Sequence, residues 1–164
     1  MSAGFVTPTT PNVGDFTVFL QTSVQIPAAA LPTNSPWIGY AFDQAMGLVP
    51  CYPGVPGITY SLAVYNCGTH LLFLITPDQT GQTYFVNARR SAASSAFPDG
   101  GFGLNAVSTG LVVSSSDEST SATLTAPKWA EGLTIEQLGM MKTPWGRSYL
   151  DYLQKAGPTI WGIT

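Results

Sequence analysis

Cys67 and His70 are the residues best placed to do chemistry. They stand three apart in the apolar run 58–75, a spacing that brings two side chains onto one helix face. A thiol beside an imidazole could form a nucleophile and its base. Both would lie mid-helix, away from the N-terminal dipole that lowers a thiol pKa, so a buried histidine beside an inert cysteine is expected. Cys51 could add a third zinc ligand, but structural zinc takes four and the chain has two Cys and one His. The nine acids offer no close pair in an apolar setting of the kind that splits two carboxyl pKa values. No GxxxxGK[ST], GxGxxG or GxSxG string occurs, and FPDGGFG (97–103) lacks the strand-before, helix-after context of a phosphate cradle. The doublet Arg89-Arg90 could touch DNA phosphates, pair with acids of an adjacent subunit, or sit on a solvated helix face. The expectation is a protein without catalytic residues, metal or cofactor.

The elements that would hold these residues can be read from capping and periodicity. Residues 1–33 are rich in Pro, Thr and Gly, with one strand-like run at 16–20 (FTVFL), and are expected to form an extended N-terminal arm. Ser35-Pro36 starts a helix, with serine at the cap and proline at the first helical position. On it Trp37, Tyr40, Ala41 and Met46 recur at three-to-five spacing, and Pro50 stops it. After the tight linker 51–57, a helix over about 58–75 is apolar on nearly every side and should be buried on most of them. A short helix is expected over 84–96. The runs 111–113 and 122–126 read as a β-hairpin turning near 117–119, with a disordered Ser/Thr linker as the competing reading. Thr134 and Gln137 form a capping box, and Thr143-Pro144 starts a last helix through about Ala156. Gly157-Pro158 ends it, leaving the apolar tail 157–164. The expected fold is mainly α: a small helical bundle over 34–156, a hairpin inserted at about 110–126, the arm 1–33 and the tail.

Composition points to function by packing. Only 9% of the 164 residues are charged, against roughly 25% in an average domain, while aromatics reach 12%. Such a surface suits contact with protein more than with water. All six bases lie at or beyond Arg89 and the net charge is −3, so no basic stripe invites phosphate. The start MSAGFVTPTT has neither the basic nor the apolar region of a signal peptide, and the cysteines read as reduced thiols of a protein made in the cytoplasm. The run 58–75 carries Thr59, Ser61, Asn66, Thr69 and His70, so a buried helix is expected there and no membrane span.

Several ordered strings bear a likeness to known proteins. They are FTVFLQTSVQIPAAALPTNSPWIGYAFDQA, SLAVYNCGTHLLFLITPD, LVVSSSDESTSATLTAP, LGMMKTPWGRSY and QKAGPTIWGIT, spread over roughly 16–164. The stretch K-T-P-aromatic-G-R-x-Y-L, followed by Q-K-x-G and a final W-G, is the most distinctive. In these the chain resembles a family of tailed-bacteriophage head–tail connector (adaptor) proteins; the small-residue-rich loop 78–103 departs from the pattern. The resemblance implies a structural virion subunit at the neck. It would form a ring, typically of twelve copies, beneath the portal protein and join it to the next neck or tail component. DNA would pass through without sequence-specific binding. A tail terminator, head-completion or decoration subunit is the alternative. The interface expected on this reading comprises Phe16 and Phe19 on the arm, Trp145, Arg147 and Tyr149 on the last helix, and Asp117 and Glu118 at the hairpin tip. Ile160, Trp161 and Ile163 complete it on a tail that docks onto the portal or an adjacent subunit.

Overall fold

Asn12 opens the first helix: its side-chain oxygen accepts from the Asp15 N–H at 2.8 Å, satisfying one of the donors a helix start leaves free. In the computed structural model, which describes residues 5–105, 114–117, 120–123 and 134–156, this helix is α1 (Val13–Thr22). Phe16, Phe19 and Leu20 on its inner face are buried. The expected extended arm is therefore corrected: FTVFL is helical and belongs to the core. Five alternating residues fit a strand, yet Phe16, Phe19 and Leu20 also fall at the three-and-four spacing of one helix face. The helix ends with Gln25 in the left-handed region (φ 62°), which lets the Ile26 N–H reach the Leu20 carbonyl at 3.1 Å.

The second helix, α2 (Pro36–Leu48), begins at the expected signal, with Ser35 in the extended cap conformation and Pro36 at the first helical position. Its buried face is Ile38, Ala41, Phe42 and Ala45. Trp37 is half-buried, while Tyr40 and Met46 turn to solvent, so the expected inward face is rotated. The cause lies on the partner helix, α3 (Gly57–Ile75). There Gly68 lets the Ala41 carbonyl and the Phe16 ring approach, and a Cβ at that position would sit 3.0 Å from the ring. Small residues on α2 are the ones that fit so close a crossing. Between the helices Pro53 and Gly54 take the centre of a tight turn, with Gly54 at φ 85° and the Val55 N–H bonded to the Tyr52 carbonyl.

Helix α3 is the axis of the fold, as its apolar composition predicts. It packs chiefly against α2 and the last helix, and eleven of its residues from Ser61 to Phe73 are buried. The short α4 (Tyr84–Arg89) stops seven residues earlier than expected. The following loop folds back and takes the carbonyls that a longer helix would have used: Phe102 N–H bonds Ala88 O at 2.7 Å and Gly103 N–H bonds Arg90 O at 3.3 Å. Gly101 makes this return possible, since a side chain there would strike the Ala88 carbonyl.

Strand pairing occurs between β1 (Ser114–Asp117) and β2 (Thr120–Thr123), antiparallel, with Asp117 opposite Thr120 and Ser114 opposite Thr123. The hairpin expected from strands at 111–113 and 122–126 is not borne out: this pairing lies in the Ser/Thr run between them, and 111–113 and 124–126 lie outside the described residues. Helix α5 (Ile135–Met140) carries the expected capping box, Thr134 and Gln137 each bonding the other's backbone N–H. Helix α6 (Pro144–Ala156) lies against α3 and, through Gly146, against the end of α5. Among the described residues the fold is mainly helical, with six helices on one core that runs from Phe16 to Tyr152.

Candidate functional site

The Cys67–His70 pair lies deep in α3, both side chains nearly inaccessible. Burial pushes the Cys67 thiol up to about 12, so at neutral pH it is a thiol and not a nucleophilic thiolate. Burial also holds His70 down at about 4, hence neutral. Its Nδ1 lies 2.8 Å from Thr143 Oγ1, which itself accepts the Gly146 N–H at 3.0 Å. The hydroxyl keeps both a proton and a second lone pair for this contact, so donor and acceptor are set by the imidazole tautomer. The histidine thus ties the middle of α3 to the cap of α6. Cys51, the possible third metal ligand, is exposed, and no cluster of three potential metal ligands occurs among the described residues.

Arg89 is turned toward the backbone of its own chain. Its Nε donates to the Phe73 carbonyl at 2.8 Å and its Nη2 to the Thr76 carbonyl, capping α3 where the helix dipole is negative. Asp78 does the converse for α4, accepting from Phe85 N–H at 2.7 Å and Val86 N–H at 2.8 Å. Burial disfavours the charge on Arg89, and nearby Asp78 offsets part of that. Only Arg90 of the doublet is exposed.

Of the expected interface residues, Phe16, Phe19, Trp145 and Tyr149 pack inward. Phe16 and Phe19 pack with Phe42 and Tyr65 in one aromatic cluster, whose Tyr65 hydroxyl holds the Asn12 backbone. Trp145 is half-buried and stacks on Phe73 with ring centres 5.0 Å apart and planes within 6°, while Phe102 meets its edge. Tyr149 is buried and donates to the Leu48 carbonyl at 3.3 Å; Tyr152, one turn on, donates to Pro50 at 2.7 Å. These aromatic side chains pack into the chain's own core. Arg147 is exposed, with Nη1 on the Met141 carbonyl at 2.9 Å. Asp117 lies on β1, and Glu118, Ile160, Trp161 and Ile163 lie outside the described residues.

Several large apolar side chains are open to solvent. Tyr40 is 58% exposed, Leu48 54% and Ile58 50%, and Met46, Leu62 and Leu74 are also in the open. Between α3 and α6 runs an open groove of about 790 Å³, lined by Val55, Leu62, Ala63 and Tyr152, with Arg147, Asp151 and Lys155 contributed by α6. Asp151 and Lys155 pair at 2.8 Å. Sequence reasoning missed this groove because its two walls are some ninety residues apart in the chain and neither has a local signature. No family model matches the chain, and neither a curated protein nor a solved structure matches it.

Proposed function

We propose that this chain is a structural virion subunit, a head–tail connector that forms a ring beneath the portal of a tailed phage and joins it to the next neck or tail protein. The observation that carries the reading is the set of large apolar side chains left in solvent on α2 and α3, in a chain with only 9% charged residues. Isolated monomers seldom expose contiguous apolar patches larger than a few hundred Å², and closed rings cover such faces with the next copy. The buried thiol and the neutral imidazole, bonded through Nδ1 to Thr143, support a role without catalysis. A net charge of −3 suits a channel that DNA traverses without being gripped. The paired segment Ser114–Asp117 and Thr120–Thr123 is the element proposed to reach an adjacent ring.

The test is where the protein lies in the particle. Phage carrying the chain with an N-terminal affinity tag, decorated with gold and viewed by electron microscopy, should be labelled at the neck. Label on the capsid faces or along the tail would favour another virion part, and particles without label would refute a structural role.

A further inference from the structure

A second cavity, of about 320 Å³, lies between α3 and α5, with the end of α2 and the loop after α4 completing its wall. The wall is mostly apolar: Leu48, Leu71, Leu74, Leu104 and Met140. Three polar residues join it. Glu136 is exposed to solvent, and Lys142 holds the Gly103 carbonyl at 3.1 Å. The third, His70, lines the cavity from α3 and is only 2% exposed. Its Nδ1 is taken by Thr143, and no hydrogen bond from Nε2 occurs among the described residues. A nearly inaccessible ring nitrogen without a partner costs free energy, which a bound molecule of matching chemistry recovers. Small-molecule sites have this composition: an apolar hollow between helices, with a few polar groups that fix orientation.

The geometry points to this cavity as a binding site for a small, uncharged aromatic hydroxyl compound, with its rings among the leucines and Met140 and its hydroxyl on His70 Nε2. Size sets the upper bound. An apolar cavity of ~150 Å³ binds benzene, so this one has room for two fused rings. Met140 favours an aromatic occupant, since a thioether sulfur is attracted to the edge of an aromatic ring. A hydroxyl both donates and accepts, so it pairs with Nε2 in whichever tautomer the Thr143 contact leaves. Glu136 and Lys142 carry opposite charges, so an ionised ligand would lose beside one what it gained beside the other. The site is complete within one chain and does not rest on the connector reading.

Titration of the full chain with β-naphthol tests this. The chain has a single histidine, so its two ring nitrogens can be followed by NMR without overlap. Binding should saturate at one molecule per chain and shift Nε2 more than Nδ1. Naphthalene, which has the rings without the hydroxyl, should bind about fivefold more weakly, the typical net contribution of one hydrogen bond. Gly139 lines the cavity, and a Cβ added there meets open space, so Gly139→Leu fills the hollow without a clash. It should weaken β-naphthol binding about tenfold or more. Gly39→Leu, in equally open space on α2 but away from the cavity, should bind as the parent does. Should Gly139→Leu fail to fold, Leu74→Glu, which puts a charge on an exposed part of the wall, takes its place. Absence of saturable binding would overturn the proposal. So would binding that the cavity variant leaves intact, which would mean adsorption elsewhere, or naphthalene binding as tightly with Nε2 unmoved.

Discussion

An imidazole held neutral inside a protein makes the fold sensitive to acid. His70 titrates at about 4 in the folded chain and near 6.5 when unfolded, so between these values the unfolded state binds more protons. Stability is therefore full above about pH 6.5 and falls as pH drops toward 4. From pH 7 to pH 5 the loss from this one group is about 2 kcal/mol. Urea denaturation at the two pH values, in the parent and in His70→Gln, measures it. The parent should lose more stability than the variant by about that amount; equal losses would mean that His70 is not held neutral. The same burial that silences the Cys67 thiol creates this sensitivity. From sequence, the inertness of the pair was legible in its mid-helix position. Its partner Thr143 was not, since it lies 73 residues away.

At the scale of elements, Gly68 and Gly146 mark where helices touch, and Gly39 does not. Gly39 on α2 has open space around it, so Gly39→Ala should stabilise by about 0.5–1 kcal/mol through lower entropy of the unfolded chain. Gly146 on α6 abuts the Met140 backbone, which cannot yield as a flexible side chain would. Gly146→Ala should cost roughly 1–3 kcal/mol, in the range of overpacked sites. Thermal unfolding of the pair should move the midpoint in opposite directions, and a neutral Gly146→Ala would mean that α5 and α6 are not in contact. Helix starts were legible because their signals are local: Ser35-Pro36, Thr134 with Gln137, and Thr143-Pro144 each act within one turn. Asn12, with Gly14 and Asp15 behind it, was a signal of the same kind, overlooked beside the strand-like FTVFL. Which face of α2 turns inward was not legible, because it is decided by Gly68 on another helix.

For the whole molecule, the first helix is part of the foundation and no detachable arm. Phe16 and Leu20 are essentially inaccessible, and burying large apolar side chains contributes about 1.5–3 kcal/mol each. Against a typical total of ~5–15 kcal/mol, losing Phe16, Phe19 and Leu20 together is decisive. A chain lacking residues 1–23 should show no cooperative thermal transition by circular dichroism. A sharp transition near the parent's midpoint would restore the separable arm. Contacts distant in sequence close the fold: the tyrosines of α6 hold backbone carbonyls 101 and 102 positions earlier. During synthesis, then, α3 leaves the ribosome with one flank bare, and that flank stays bare until α6 emerges some seventy residues later. At ~5–20 residues per second that is an interval of several seconds or more in which the most apolar helix is unsheltered. Holding by a chaperone, or slow translation of the Ser/Thr-rich stretch, would therefore govern how much of the newly made chain reaches its native form.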